Sequence, residues 1–296
     1  MNKTVIALGF FDGVHMGHAQ LLRLCRHRAR ELGYTPAALT FDVHPSSLVT
    51  GQAPPLINTT QDRALMLRQL YKMEQVLILP FTPELMYMPW RDFLTEILIG
   101  RYHAAHLVCG HDFRFGNRGE GTAELLREAA GALGVGCDIV PAYHIGGTVV
   151  SSTHIRRLLA DGMAQEAMRF LGHPHFLTGT VVPGKHLGRT LGIPTANVPI
   201  PEGVIVPKRG VYACRVWTGD QCWVAVTNVG VCPTVGGEQL TTESWLLNYQ
   251  GDLYGQQILI EFFKYLRSER KFDSLEALKE EIHRNAQQTE RYFFPE

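Results

Sequence analysis

Short apolar runs alternate with segments of helical apolar spacing through the first half of the chain. Short apolar runs, which predict strands, occur at Val5 to Phe10, Thr35 to Phe41, Val76 to Leu79, Ala104 to Cys109 and Cys137 to Pro141. Helical spacing of apolar residues marks Gln20 to Leu32, Gly121 to Leu133 and Ser152 to Leu171. Strands that alternate with helices predict an α/β domain with a parallel sheet, in which ligands bind at the carboxyl ends of the strands.

The pattern changes near residue 177 to short β-branched runs separated by Gly, Pro and Asn. These runs are Thr178 to Val182, Val211 to Trp217, Trp223 to Asn228 and Gln257 to Phe263. They predict a small all-β domain, most simply a barrel. A last helix is predicted from Ser274 to about Tyr292, capped by Asp273 or Ser274, with Leu275, Leu278 and Ile282 as its apolar stripe. We place the domain boundary between residues 174 and 175, giving domains 1–174 and 175–296.

Composition limits the classes of function. The 296 residues are 45% hydrophobic and 19% charged, which suits two folded domains and excludes a disordered chain. The formal net charge is zero, so no overall field attracts nucleic acid or an anionic membrane. The six cysteines show no Cys-x-x-Cys spacing and are typical of small buried hydrophobes in a reducing compartment. The sequence shows neither a signal peptide nor a membrane span, so we expect a cytoplasmic protein. No motif in it indicates a protein partner.

The turn after the first predicted strand combines glycines and histidines, in the segment Gly9-Phe10-Phe11-Asp12-Gly13-Val14-His15-Met16-Gly17-His18. Glycines let the backbone approach a ligand closely, and the following helix presents free N–H groups to phosphate. His15 and His18 are spaced to face the same ligand and to donate hydrogen bonds to phosphate oxygens. Two alternatives remain: ordinary surface histidines at a helix start, and a zinc site, for which no Cys or carboxylate cluster completes the ligand set.

Three later segments add polar or aromatic residues at strand ends and at a helix start. Phe41-Asp42-Val43-His44-Pro45 follows one strand, and Gly110-His111-Asp112-Phe113-Arg114-Phe115-Gly116-Asn117 follows another, with rings suited to a base or a flavin. Ser151-Ser152-Thr153-His154-Ile155-Arg156-Arg157 supplies hydroxyls and a guanidinium suited to a polyphosphate, although this pattern is also a common helix cap. We expect these segments to form one site with the turn.

Together these motifs resemble the nucleotidyltransferase domain of the prokaryotic FAD synthetases. The resemblance implies a Rossmann-like sheet, ATP as co-substrate, and transfer of the adenylyl group to FMN with His15, His18 and Arg156 as catalytic residues. It also implies nucleotide or flavin contacts from ten further positions: Gly9, Phe10, Asp12, Gly17, Phe41, His44, Asp112, Phe113, Ser152 and Thr153. The sequence departs from the family pattern at His111, where Glu is usual.

A second group of motifs opens the β-rich half. The stretch from Gly179 to Asn197 is rich in glycine, and its strand end at Gly184 and Lys185 suits a phosphate chain, although it lacks P-loop spacing. Thr195 and Asn197 alternate on an extended segment, so their oxygens face the same way and suit Mg²⁺ shared with nucleotide phosphates. An ordinary turn is the alternative. Glu243 is either a base for an attacking alcohol or a solvent-facing strand residue.

These motifs, with those that follow them to residue 292, resemble the riboflavin kinase domain. The resemblance implies a six-stranded barrel with a C-terminal helix, Thr195 and Asn197 as Mg²⁺ and phosphate contacts, and Glu243 as catalytic base. We expect the ATP phosphates to contact Gly184, Lys185, Gly188 and Arg189 in the glycine-rich stretch. Trp245 stands where His is common in this family, and Asn248 where Asp is common.

The sequence therefore predicts a bifunctional enzyme of FAD biosynthesis. The C-terminal domain phosphorylates riboflavin to FMN with ATP and Mg²⁺, and the N-terminal domain joins FMN to the AMP part of ATP, giving FAD and pyrophosphate. One alternative is an enzyme with a single activity, in which one domain only binds flavin. The other is a binding module without activity, such as a flavin sensor or a nucleic-acid binder; the neutral charge disfavours the latter.

Overall fold

A computed structural model describes residues 3–49, 51–184, 192–234 and 237–295. The predicted phosphate contacts Lys185, Gly188 and Arg189 lie outside the described residues. The chain divides into two compact units, residues 1–152 and 153–296. This division differs from the predicted boundary between residues 174 and 175 by two helices, and that boundary stays a prediction.

The first unit is built on a parallel sheet of five strands in the order β3-β2-β1-β4-β7. These strands are β1 Thr4–Leu8, β2 Thr35–Phe41, β3 Gln75–Leu79, β4 Ala104–Gly110 and β7 Gly136–Val140. Two short hairpins pair β5 Arg114–Phe115 with β6 Gly121–Thr122, and β8 His144–Ile145 with β9 Thr148–Val149. The helices are α1 Met16–Leu32, α2 Ser46–Val49, α3 Thr60–Gln69, α4 Pro83–Met86, α5 Trp90–Asp92 and α6 Ala123–Ala132, with a π-helix at Phe93–Arg101. The predicted Rossmann-like α/β architecture is confirmed.

The order of the strands places the ligand crevice. The chain runs outward from β1 to β2 and β3, then returns to place β4 on the other side of β1. At such a reversal the loops after the two central strands separate and leave an opening at their carboxyl ends. The Gly9–His18 turn follows β1, and the loop that begins at Gly110 follows β4. Both predicted motifs therefore lie at the crevice.

The second unit is a six-stranded antiparallel sheet in the order β10-β15-β12-β13-β14-β11. Its strands are β10 His175–Thr180, β11 Ala196–Pro199, β12 Gly210–Thr218, β13 Gln221–Thr234, β14 Gly237–Leu246 and β15 Gln257–Arg267. The sheet curls into a nearly closed barrel around an apolar core that includes Tyr212, Val216, Ile260 and Phe262. A C-terminal helix, Leu275–Phe293, follows it. This confirms the predicted barrel with its helix.

One long helix predicted before the barrel is wrong. The segment forms two helices, α7 Ser152–Ala160 and α8 Ala164–Leu171, because Gly162 adopts a left-handed conformation with φ of 78°. Glycine tolerates that conformation, and a turn there lets α8 change direction. Ala164, the first residue of α8, joins the core of the barrel.

The apolar stripe predicted for the C-terminal helix is also wrong in part. Ser274 does cap the helix, accepting a hydrogen bond from the Ala277 amide at 3.1 Å. Leu275 is 50% exposed, however, and the buried face is mostly polar. The buried side chains on this face are Glu281, Asn285, Ala286 and Thr289. Ion pairs and hydrogen bonds, described below, compensate for the burial of these polar groups.

Candidate functional site

The turn after β1 has a constrained backbone. Phe11, Gly13 and Val14 all have positive φ, at 58°, 74° and 38°. A positive φ is unfavourable for a β-branched residue such as Val14, and backbone strain of this kind concentrates at functional sites. A side chain at Gly9 would meet the Phe11 ring at 3.1 Å, and one at Gly17 would meet the His15 ring at 3.1 Å. Both glycines therefore permit the close packing that holds the two predicted histidines.

His15 and His18 lie against one another at the N-terminus of α1. Their rings are stacked with centroids 3.6 Å apart and planes 12° apart. The Nδ1 atom of His15 accepts a hydrogen bond from the His18 amide at 3.3 Å, so the neutral imidazole carries its proton on Nε2. Burial, His15 and Arg63 hold the pKa of His18 well below its usual range. The pair therefore offers hydrogen-bond donors rather than two positive charges.

Asp12 and Ser152 hold the turn in place. The Asp12 carboxylate is buried, and its Oδ1 accepts a hydrogen bond from the Ile57 amide at 2.9 Å. Ser152 donates its hydroxyl hydrogen to the Asp12 carbonyl at 2.9 Å. Both hydrogen bonds join segments of the first unit that are far apart in the chain. These two contacts thus hold the turn, at Asp12, against other segments of the first unit.

Arg63 is a functional candidate that sequence reasoning missed. It lies on α3 and is fully buried. Its Nη2 donates to the Phe41 carbonyl, and its guanidinium carbon lies 4.2 Å from the centroid of the Phe10 ring. The Phe10 ring also makes an edge-to-face contact with His44, with centroids 4.7 Å apart. Arg63 has no motif signal, because its position depends on where α3 packs against the sheet.

An apolar cavity of about 670 Å³ opens at the carboxyl edge of the sheet. The predicted residues Phe41 and Phe113 line it, and Phe113 stacks on Phe115 with centroids 5.3 Å apart. Pro45, from the same predicted segment as Phe41, also lines it. The sequence did not single out the other apolar lining residues, which are Leu48, Phe81, Leu85, Met86, Tyr87 and Phe93. Asp112 is exposed at the loop surface, with an Oδ1 4.0 Å from the His111 ring nitrogen. The cavity has the size and aromatic lining suited to a planar ring system.

The remaining predicted residues of this group lie in the second unit. Thr153 and Arg156 are in the first two turns of α7; Thr153 is exposed and Arg156 half-buried. Their predicted roles with a polyphosphate stay predictions.

In the barrel, strand register brings the predicted kinase residues together. Asn197 on β11 pairs with Glu243 on β14, and Glu243 pairs in turn with Asn228 on β13. Directly paired residues of neighbouring antiparallel strands point to the same face of the sheet. The half-buried Glu243 carboxylate therefore lies between two amide side chains. Sequence reasoning missed Asn228, because only the pairing of distant strands places it there.

Gly184, Thr195 and Asn197 form a tight group beside Glu243. A side chain at Gly184 would lie 2.5 Å from the Asn197 amide nitrogen, so this position has room for glycine alone. Asn197 Nδ2 donates to the Thr195 carbonyl at 3.3 Å. That bond orients the Asn197 amide and leaves its oxygen as an acceptor. The main-chain carbonyl of Asn197 also accepts from Val182 at 2.9 Å, which anchors the group to the glycine-rich segment.

Thr195 lines two cavities of the barrel unit. One, of about 310 Å³, also contains Glu243, Trp245 and Phe272. The other, of about 300 Å³, is bordered by Tyr249 and Tyr254. Thr195 therefore marks the place where a molecule bound in one cavity could contact a molecule bound in the other.

A buried carboxylate binds two arginines that line the first of these cavities. Glu281 of the C-terminal helix is 7% exposed and receives three guanidinium groups. Arg267 Nε lies 3.1 Å from it, Arg270 Nη2 2.7 Å and Arg284 Nη1 3.2 Å. Arg267 and Arg270 both line the cavity, and so do Leu278 and Ile282 of the helix. The network therefore fastens the end of β15 and the segment after it to the C-terminal helix, beside the cavity that Arg267 and Arg270 line.

The described residues contain neither a metal-binding cluster nor a membrane-spanning helix. In that part of the chain, no group of three or more His, Cys, Asp or Glu side chains is arranged to hold a metal ion. No helix there combines the length and the apolar character that a membrane span requires.

Comparisons with known proteins match each unit separately and the chain as a whole. The FAD synthetase family model matches residues 1–154, and the riboflavin kinase model matches residues 171–293. A bifunctional riboflavin kinase/FMN adenylyltransferase of Bacillus subtilis is 35% identical over 296 residues, covering 98% of this chain and 93% of the relative. The Escherichia coli K12 protein of the same description is 35% identical over 292 residues, covering 98% and 92%.

A solved structure is similar over almost the whole chain. It is a Streptococcus pneumoniae protein described as a macrolide-efflux protein, with a TM-score of 0.86 and 29% identity. The match covers 97% of this chain and 94% of the other. The efflux description applies to that protein and differs from the names of the sequence relatives.

Proposed function

Because this chain belongs to the family of bifunctional riboflavin kinase/FMN adenylyltransferases, we propose that its two sites divide the two activities between them. The protein phosphorylates riboflavin to FMN and adenylylates FMN to FAD, with ATP as the second substrate of both steps. The carboxyl edge of the parallel sheet carries adenylyl transfer. The Asn197–Glu243 face of the barrel carries the phosphorylation.

In adenylyl transfer, an oxygen of the FMN phosphate attacks the α-phosphorus of ATP. A new P–O bond forms, and the bond from the α-phosphorus to the bridging oxygen breaks, releasing pyrophosphate. His15 Nε2 donates a hydrogen bond to the phosphate oxygens where charge develops, and His18 lies beside it in the neutral state. Arg156 is proposed to neutralise the leaving pyrophosphate, a role supported by the family motif. The stacked pair at a helix N-terminus is the observation that carries this proposal.

The flavin ring of FMN is proposed to bind in the 670 Å³ cavity at the carboxyl edge of the sheet. Its aromatic walls, with Phe41 and Phe113 among them, suit the faces of a large planar ring. We also propose nucleotide or flavin contacts at the other predicted residues of this site, which are Gly9, Phe10, Asp12, Gly17, His44, Asp112, Ser152 and Thr153. This placement leaves the FMN phosphate free to reach the histidines at the same sheet edge.

In the kinase step, Glu243 is proposed as the base that accepts the proton of the riboflavin 5′-hydroxyl. The hydroxyl oxygen then attacks the γ-phosphorus of ATP, and ADP leaves. Riboflavin occupies the cavity with Trp245 and Phe272, and ATP the neighbouring one with Tyr249 and Tyr254. The common border at Thr195 supports this division, because the γ-phosphate must meet the hydroxyl where the two cavities adjoin.

Thr195 and Asn197 fit a magnesium ion held mainly by substrate phosphates. A hydroxyl and an amide oxygen are ligands that Mg²⁺ accepts, and it usually keeps waters and phosphate oxygens in its other positions. Asn197 Nδ2 donates to the Thr195 carbonyl, so the amide oxygen is the atom left for a cation. When bound, Mg²⁺ offsets charge on the transferring phosphate. Gly184 gives the phosphates close access to the Asn197 amide.

A crossed pair of variants tests the assignment of the two sites in the intact enzyme. His15→Asn with His18→Asn should still form FMN from riboflavin and should lose most FAD formation. Glu243→Gln should lose FMN formation and still convert supplied FMN to FAD. Chromatography of products over time, with Mg²⁺-ATP, measures both. Loss of the same activity in both variants would contradict the division, and absence of one activity from the unaltered enzyme would favour the single-activity alternative.

Two finer points complete the proposal. The first is a domain boundary between residues 174 and 175, supported by the end of α8 at Gly172 and the start of β10 at His175. Limited proteolysis tests it: cleavage near residue 174 supports it, and cleavage near residue 152 favours the compact units. The second is a cytoplasmic location, supported by free thiols at Cys25, Cys109 and Cys214.

A further inference from the structure

Arg63 joins the ends of two central strands beneath the adenylyl-transfer site. Its side chain is 0% exposed, which is rare for arginine. Its Nη2 donates to the carbonyl of Phe41, the last residue of β2, and its guanidinium carbon lies over the ring of Phe10, which follows β1. One side chain therefore fixes both segments that border the catalytic turn.

The positive charge of Arg63 is incompletely compensated. Its Nε and Nη1 atoms are buried and have no hydrogen-bond partner among the described residues. The charged or titratable groups that face the site are Asp12, Asp42, His15 and His18. Asp42 directs its Oδ1 to the backbone amides of Val43 and Phe81, at 2.8 and 2.9 Å. A buried guanidinium usually has a carboxylate at hydrogen-bond distance, and here two of its nitrogens have none.

The electrostatic state of the group follows from its surroundings. Burial lowers the pKa of Arg63 to about 10, while Asp12 and Asp42 act in the opposite direction. The residue is therefore a cation at neutral pH. Its charge is also one cause, after burial and His15, of the lowered pKa of the His18 imidazole.

We propose that Arg63 is a positioning residue for adenylyl transfer, a buried cation that aligns Phe10 and Phe41 and adds positive potential beneath the histidines where the nucleotide polyphosphate binds. The inference rests on the proposed function of the histidine site. Burying an unpaired positive charge is costly. A bound polyphosphate would offset this cost, because its negative charge compensates that of Arg63. A residue that merely fills the core would need no charge.

Two substitutions at Arg63 separate charge from volume. Arg63→Met keeps a long side chain and removes the charge, and Arg63→Lys keeps the charge without the planar fork. Arg68→Met, on the exposed side of the same helix, is the matched control. Hydrogen exchange of peptides from β1, β2 and α3 reports whether the first unit stays folded, and riboflavin phosphorylation by the same chain checks the barrel.

We expect Arg63→Met to lower kcat/KM of FAD formation for ATP by about 30-fold, the order of one nearby charge at an effective dielectric constant of about 20. Arg63→Lys should recover much of that loss. The acidic limb of the pH–rate profile should move to higher pH in Arg63→Met, because His18 then protonates more easily, and should stay in place in Arg63→Lys. Phosphorylation of riboflavin should not change in any of the three variants.

Three results would overturn the inference. One is unchanged FAD formation in Arg63→Met. Another is an equal loss in the Met and Lys variants with no change in the pH profile, which would assign Arg63 a purely structural role. The third is a general loss of hydrogen-exchange protection in both variants. Failure of the proposed site itself is distinguishable, because the His15, His18 double variant would then retain FAD formation.

Discussion

His175 is a buried histidine whose titration should make the barrel sensitive to acid. It begins β10, is 0% exposed and stacks on Phe262 with ring centroids 5.7 Å apart. Both ring nitrogens are buried without a hydrogen-bond partner in the described part of the chain. Burial, with a smaller contribution from His173, lowers the pKa of His175 to about 3. We therefore predict that His175→Leu removes a large share of the acid destabilisation of the barrel.

The magnitude follows from the difference between the folded and unfolded states. An unfolded histidine has a pKa of about 6.5, so on acidification the unfolded chain binds a proton that the folded chain excludes down to a pH of about 3. Stability is therefore fully present above pH 6.5 and falls as the pH drops below it. Between pH 7.5 and 5 the loss from this one group is about 2 kcal/mol. At pH 7.5 the leucine should be neutral or stabilising, because an unsatisfied imidazole costs roughly 1–3 kcal/mol to bury.

Urea unfolding of the intact protein at pH 7.5 and pH 5 measures this effect. Trp217, Trp223 and Trp245 all lie in the barrel unit, so tryptophan fluorescence follows mainly its transition. His283→Leu, which removes an exposed histidine of the same unit, is the control and should keep the pH dependence of the unaltered chain. The reasoning is refuted if His175→Leu and the unaltered protein lose the same free energy of unfolding between the two pH values.

Three further predictions concern other parts of the chain. Glu281→Gln removes the charge from a buried network and should lower the free energy of unfolding by roughly 1–3 kcal/mol. It should also weaken riboflavin binding, measured by flavin fluorescence. The exposed Glu280→Gln is its control, and equal effects would contradict the prediction. Phe113→Ala should raise KM for FMN in FAD formation about tenfold without changing the kinase step. The control Phe294→Ala, at an exposed position, should change neither. An unaltered KM in Phe113→Ala would show that Phe113 does not contact the flavin. Ser274→Ala should cost about 1 kcal/mol in thermal or urea unfolding, and no loss would show that this cap is dispensable.

Several features were readable from local sequence because local geometry produces them. The apolar run from Thr35 to Phe41 is the whole of β2, since a strand buried on both faces shows as a continuous apolar stretch. The closeness of His15 and His18 is also local, because His15 is the N-cap residue and its side chain accepts a hydrogen bond from the His18 amide three residues later. The cap at Ser274 likewise needs only the next few residues.

Where the prediction failed, the deciding contacts came from distant parts of the chain. Leu275 was expected in an apolar stripe, yet it is exposed, because Arg267 and Arg270 reach the helix and make Glu281 the buried position. The break at Gly162 was missed, since a single glycine inside a helical pattern is compatible with an intact helix.

The sequence by itself determined the two fold classes, the turn that carries the histidines and the family to which the motifs belong. Periodicity and motif spacing record relations between residues a few positions apart, which the local backbone geometry enforces. Only the tertiary structure placed Arg63 beneath Phe10, aligned Asn228 with Glu243 and assembled the cavity around Phe113. Those arrangements depend on strand register and on how helices pack, and both are set by the burial of surfaces that are far apart in the chain.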